Sequence, residues 1–210
     1  MSARISRQFF DQPTLDVARS LLGCRLIRRF AGGGGEAGGR IVEVEAYVGE
    51  EDTACHASRC RTERNRVLYG PPGLAYVYFT YGMHWMLNVV TEREGFPAAV
   101  LIRAIEPELG LEAIRKRRPG RADVELTSGP ARLCQALGID RLLNEADLVS
   151  GEDLFIEEWQ AVPDLAVLRT PRIGIDYARR KDRIAPWRLL IRSSHHSTGT
   201  RRSRAYNRTS

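Results

Sequence analysis

Seven residues, Ile41-Val42-Glu43-Val44-Glu45-Ala46-Tyr47, set two acids inside a stretch otherwise suited to the interior of a β-strand. Strand side chains alternate between faces, so Val42, Val44 and Ala46 share one side while Glu43, Glu45 and Tyr47 share the other. A fold that accepts this run has two options. It leaves the acidic face in water, as a half-exposed edge strand with two solvated glutamates, or it buries the carboxylates against partners, since an unpaired buried carboxylate is costly. The second option puts a paired carboxylate beside an aromatic ring, which suits a general base working on an aromatic substrate.

The chain is long enough for a substantial core: 210 residues, 43% hydrophobic and 28% charged, fit one large domain or two small ones. No internal repeat or second-domain boundary is evident. The formal charge is +6, and lysine occurs only at Lys116 and Lys181, so the positive charge is nearly all arginine. Arginine forks onto phosphates and stacks on rings, which points to a nucleic-acid partner; a genome rich in arginine codons gives the same skew. Cys24, Cys55, Cys60 and Cys134 are scattered and no secretory leader precedes them, so a reduced cytosolic compartment is expected rather than a disulfide framework. Cys55, His56 and Cys60 lack a second ligand pair at zinc spacing, so no metal is assigned. No apolar run approaches the roughly 18 residues of a membrane span.

Along the chain, Pro13 to Gly23 has helical periodicity, with Thr14 as a candidate cap and Gly23 as a terminator. Cys24 to Phe30 reads as a strand, and the four glycines from Gly32 to Gly35 as a turn. Residues 48 to 73 form a long loop, and long loops in compact domains are usually functional or disordered. Ala75 to Val90 is dense in aromatic and β-branched residues and predicts two strands turning near Tyr81-Gly82. A further strand is expected over Ala98 to Ile105, helices over Glu106 to Arg118 and Ser128 to Leu137, and short strands and turns over 153 to 192. From Ser193 a basic, disordered tail is expected, with arginines at 201, 202, 204 and 208.

Several residues stand out as chemistry-bearing. Glu45 and Tyr47 share a strand face. His56 lies in the arginine-rich loop, Tyr78 and Tyr81 at a strand end and turn, and Asn88 soon after. Tyr78 and Tyr81 also suit ordinary core rings, His56 a loop histidine and Asn88 a satisfied amide. Arg103 is the sharpest signal. A lone arginine among Val100, Leu101, Ile102, Ala104 and Ile105 points outward or meets a buried acid, and Glu45 is the candidate.

Taken in order, Glu43-Val44-Glu45-Ala46-Tyr47, Glu51-Asp52-Thr53-Ala54-Cys55-His56, Arg64-Asn65-Arg66, Tyr76-Val77-Tyr78-Phe79-Thr80-Tyr81-Gly82-Met83, Leu87-Asn88, Leu101-Ile102-Arg103-Ala104, Glu106-Pro107, Ser128-Gly129-Pro130 and Leu133-Cys134-Gln135-Ala136-Leu137 resemble the alkyladenine DNA glycosylase family, the mammalian type of 3-methyladenine DNA glycosylase. The resemblance covers about residues 8 to 192. It implies a monofunctional enzyme of base excision repair. Such an enzyme flips alkylated or deaminated purines (3-methyladenine, 7-methylguanine, hypoxanthine) out of double-stranded DNA and hydrolyses the N-glycosidic bond with water, using no metal or redox cofactor. By position, Glu45 matches the general base and Arg103 the residue that helps hold the water. Tyr47, His56 and Tyr78 match the walls that stack the flipped base, Asn88 the pocket residue that disfavours guanine, and Tyr81 the wedge inserted into the duplex. A monomer in the cytoplasm or nucleoid (the nucleus, in a eukaryote) is implied, not secreted and not membrane-bound.

Physical chemistry supports each role. Swinging a nucleotide out of a duplex costs about a few kcal/mol, and stacking on aromatic walls offsets roughly 1–3 kcal/mol per base. Ring alkylation leaves a cationic base that favours π faces and departs easily. The ending departs from the family: Ser193-Ser194-His195-His196 and the basic tail match nothing, so the glycosylase domain is set at 1–192 and the tail at 193–210. The expected fold is a single α/β domain of the α+β kind, a curved antiparallel sheet with helices around it. Two rivals are a protein that senses flipped bases without cutting, which gains nothing from Glu45, and a hydrolase of free nucleosides, which has no use for Tyr81 or a basic surface.

Overall fold

The acid-bearing run lies in the longest strand among the described residues. The computed structural model describes residues 3–198. Among these residues are eight strands and five short helices, in chain order α1 (Arg7–Phe10), α2 (Thr14–Leu21), β1 (Arg25–Arg29), β2 (Glu36–Val48), β3 (Ala75–Thr80), β4 (His84–Val90), β5 (Ala98–Leu109), α3 (Leu111–Arg117), α4 (Pro130–Leu137), β6 (Leu154–Glu157), β7 (Val167–Thr170), α5 (Arg180–Ile184) and β8 (Arg188–Ile191). The strands make one antiparallel sheet in the order β3-β4-β5-β2-β1-β6, with β8 pairing β2 and β7. The fold is the expected single α/β domain. Register shifts where β2 meets β5, between Gly38 and Gly39 and again from Ile41 to Val44, mark bulges, which bend a strand and curve its sheet. Gly39 is required there: a Cβ would stand 1.9 Å from the Glu106 carbonyl oxygen.

Alternation along the four strands at the β3 end divides the sheet. Val42, Val44 and Ala46 of β2, Val100, Ile102 and Ala104 of β5, Leu87 and Val89 of β4, and Ala75 and Val77 of β3 belong to the main core, with Val17, Ala18 and Leu21 of α2 and Leu133, Ala136 and Leu137 of α4. The other face is covered by the 48–73 segment. It contributes Cys55, Ala57, Val67 and Leu68 to a second cluster with Tyr76, Val90 and Ala99. That segment is loop with two short 3-10 turns, His56–Ser58 and Arg66–Tyr69. Each hydrophobic half of the alternation is thus buried by a different partner.

Some local expectations change. Thr14 does not cap α2. It is the first helical residue, and its N–H and hydroxyl donate to the Glu92 carboxylate, so an acid from the 91–97 loop receives the unpaired N-terminal donors. Glu106 to Leu109, expected as helix, extend β5. Pairing with Gly38, Gly39 and Arg40 holds them extended, Arg40 bonds Glu106, and Gly110 at φ +62° breaks the strand before α3. Helix α4 starts at Pro130 rather than Ser128, because proline suits the first helical position. The tail expected from Ser193 divides. Residues 199–210, with all four of its arginines, lie outside the described residues. Ser193 to Thr198 turn back after β8, with Ser194 and Ser197 buried, so a boundary at 192 cuts through packed structure.

Candidate active site

One register row crosses four strands: Glu45 of β2 faces Leu101 of β5, Leu101 faces Asn88 of β4, and Asn88 faces Tyr76 of β3. Directly paired residues present side chains on the same face of a sheet. Two residues on in each strand bring Tyr47, Arg103, Met86 and Tyr78 to that face. They floor a cavity of about 620 Å³, walled by His56, Arg64, Ile173 and Tyr177, with Tyr81 at its edge. Such a volume is ordinary for a small-molecule site.

Glu45 lies beneath this floor rather than on it. It is fully buried, and the residues that touch it (Tyr47, Arg103 and Ile173) are the ones that line the cavity. Its Oε2 accepts from the Tyr47 hydroxyl at 2.9 Å and lies 3.1 Å from Arg103 Nη1, while Oε1 accepts from the Ile173 backbone N–H at 2.8 Å. The expected pairing with Arg103 is present, between adjacent strands. Glu43 joins it, because Arg103 Nε donates to Glu43 Oε1 at 2.8 Å. Arg188, reaching in from β8, lies 3.2 Å from the same oxygen. Two carboxylates and two guanidiniums thus balance in a buried cluster, the condition under which interior charge is tolerated. Burial alone lowers the Arg103 pKa, but Glu45 and Glu43 outweigh it and raise the value. Burial first, and then the Glu45 charge, push Tyr47 well above its ordinary range, so its hydroxyl keeps the proton it donates.

The aromatic wall is a packed set. His56 meets Tyr78 edge-on with ring centroids 4.5 Å apart, and Tyr78 meets Tyr76 at 5.2 Å. His56 Nδ1 is 2.9 Å from the Tyr76 hydroxyl. The imidazole keeps an open side at the cavity mouth. The walls around it still remove enough water, with Arg64 adding repulsion, to push its pKa down to about 4. Burial raises Tyr78 above its usual range and Tyr76 to about 12. The wall is therefore uncharged near neutral pH. Asn88, 4% exposed, donates from Nδ2 to the Tyr76 carbonyl at 3.1 Å, which sets its amide against the pocket.

Tyr81 differs from all of these. It sits at the tip of the β3–β4 hairpin, 76% exposed, with φ +52° followed by Gly82 at φ +67°. Phe79 and Met83 are exposed beside it. A tyrosine in the left-handed region is strained, and such strain concentrates at functional sites.

The structure brings all seven residues singled out in the sequence to one cavity, with Glu45 under it and Tyr81 at its rim. It also adds residues that were not among those seven. Arg172 and Asp52 form a fully buried bidentate pair at 2.6 and 2.8 Å, and Arg172 also donates to the Ala46 carbonyl and lies over the Tyr47 ring at 4.7 Å. This pair ties the loop before His56 to the loop carrying Ile173, hence to Glu45. The Ile173 contact is a backbone one and leaves no mark in the sequence. Arg188 does: it stands alone among Leu189, Leu190 and Ile191, the same signal as Arg103.

The family model for methylpurine-DNA glycosylase matches residues 8–195. A Methanocella arvoryzae protein is 50% identical over 191 residues, 90% of this chain and 93% of its own length. One from Carboxydothermus hydrogenoformans is 46% identical over 190 residues, 90% and 96% of the two chains, and one from Myxococcus xanthus is 46% identical over 192 residues, 91% and 92%. All three carry the name "Putative 3-methyladenine DNA glycosylase". With a family match spanning nearly the whole chain, this protein belongs to the methylpurine-DNA glycosylase family and is a DNA glycosylase.

Proposed function

We propose that this enzyme excises alkylated and deaminated purines, among them 3-methyladenine, 7-methylguanine and hypoxanthine, from duplex DNA through a water activated by Glu45. The observation that carries this reading is a fully buried carboxylate held by Arg103 and Tyr47 directly under an aromatic cavity. A carboxylate has about four acceptor sites. Three are used here, two on Oε2 by Tyr47 and Arg103 and one on Oε1 by the Ile173 N–H, so Oε1 can take one more donor, a water entering beside Ile173.

In the reaction, that water's oxygen bonds to C1′ of the sugar as the C1′–N bond breaks. The bonding electrons leave with the base, and the water's proton passes to Glu45. The carboxylate also stabilises the sugar as it becomes cationic. A ring-methylated purine already carries positive charge and leaves neutral, so the enzyme has little leaving-group work to do.

Tyr47, His56 and Tyr78 stack the flipped base. Their neutrality matters, because an uncharged π wall attracts a cationic purine where an imidazolium would repel it. Tyr81 fills the gap in the duplex. Asn88 stands against the purine edge and disfavours guanine, whose 2-amino group meets a clash or loses its partner.

The test is Glu45→Gln, which keeps the shape of the site. It should bind a hypoxanthine-containing duplex with nearly parental affinity and release base at least about 10³-fold more slowly, the scale of a lost general base. Base release at the parental rate would remove Glu45 from the mechanism. Retained binding without any parental turnover would instead identify a sensor of flipped bases.

A further inference from the structure

Glu43 is a fully buried acid that the proposed reaction does not use, and one of its partners, Thr198, lies beyond the residues the family model matches. Thr198 donates to it twice, from its backbone N–H to Oε2 and from its hydroxyl to Oε1. The same hydroxyl oxygen accepts from Arg103 Nη2 at 3.3 Å. Arg103 is therefore held at three nitrogens: Nε by Glu43, Nη2 by Thr198, and Nη1 against Glu45. Arg188 closes the ring, 3.2 Å from Glu43 Oε1 and from the Thr198 carbonyl.

The segment that delivers Thr198 is built into the fold. Ser194 N–H donates to the Ile191 carbonyl, and His196 N–H to the Ser194 hydroxyl. The Thr198 methyl sits 3.6 Å from where a Cβ on Gly129 would stand, just before α4.

We propose that Ser193–Thr198 is part of the active site and that Thr198 is a positioning residue for base excision, fixing the Arg103 guanidinium so that Nη1 faces Glu45. This rests on the reading of Glu45 as the base. Glu43 alone holds one edge of a guanidinium that can still rotate. The Thr198 hydroxyl, donating to Glu43 and accepting from Arg103, locks the plane. Small misplacements of a catalytic group cost large factors in rate, on the order of 10²-fold for about 1 Å.

The experiment uses the full chain and three variants, Thr198→Val, Thr198→Ser and Glu45→Gln, in single-turnover base release and duplex binding with hypoxanthine DNA. Valine keeps the backbone bond and the bulk but loses the hydroxyl. Thr198→Val should release base roughly 10- to 100-fold more slowly, with duplex Kd within about twofold of the parent. Thr198→Ser should recover to within about threefold of the parental rate. A merely structural hydroxyl would not separate rate from affinity in this way.

A parental rate in Thr198→Val overturns the proposal. So does a serine variant as slow as the valine one, or a loss confined to affinity, which would make the segment a DNA-binding element. If these failures occur while Glu45→Gln is inactive, the base assignment survives them. If Glu45→Gln is active, both readings fall.

Discussion

The floor and the rim of the cavity are built by opposite means. The floor is sheet: Arg103 projects from β5 and Glu45, beneath it, from the paired β2, and both are buried among interlocking ion pairs. The rim is loop: Tyr81 stands in solvent on a hairpin tip in a strained conformation, and Tyr177 is 65% exposed on the segment before α5. Chemistry at a sugar needs charges already in place when the transition state forms, since only preorganised dipoles act without reorganising. Engaging a duplex needs side chains that protrude and can bury themselves later. The lesson is that one strand face supplies fixed electrostatics while a two-strand ribbon supplies reach, and the cavity lies where they meet.

The sharpest way to break this contrast is at the pair that clamps the floor's outer wall. Asp52→Asn leaves Arg172 charged and buried without its partner, and should cost about 3–5 kcal/mol in urea unfolding. It should also slow base release, because Arg172 precedes the Ile173 N–H that holds Glu45. A loss under about 1 kcal/mol would mean that the floor is not electrostatically locked.

Changing the rim should behave in reverse. Tyr81→Gly relieves a positive φ and should leave stability unchanged or raise it by about 1 kcal/mol, while duplex base release falls at least roughly tenfold with the loss of the wedge. Equal loss of stability and activity would make Tyr81 a packing residue and erase the distinction.

The smallest effect expected is at the boundary, at His56. Its pKa is lowered from 6.5 to about 4, first by burial and then by Arg64. Between those values the unfolded chain binds the proton and the folded one does not, so stability falls as pH drops through this window. The slope should be shallow because part of the ring meets solvent, and His56→Gln should flatten it. An identical pH profile in the variant would show that the imidazole is no less solvated in the folded protein.

Much of the site was legible because burial makes unusual residues conspicuous. Glu43, Glu45 and Arg103 each interrupt an apolar strand, and a charge in such a place has few fates other than pairing. Asp52 lies in a recognised run, yet its partner Arg172 is 120 residues away, and no local pattern links them. Thr14 and Glu106 depart from their local patterns for the same reason. Helix caps and strand lengths are settled by what packs alongside, here Glu92 and the Gly38–Arg40 segment of β2.

The sequence by itself determined which side chains share a face: alternation is a property of the extended backbone, so Glu43, Glu45 and Tyr47 had to point one way and Val42, Val44 and Ala46 the other. It also determined, through ordered motifs, the family. Only the tertiary structure decided that Glu45 lies under the cavity floor, that Ile173 reaches it through a backbone N–H, and that the chain returns at Thr198 to brace Arg103. These are contacts between segments far apart in the chain, and their energies depend on distance and desolvation, which exist only once the strands have come together.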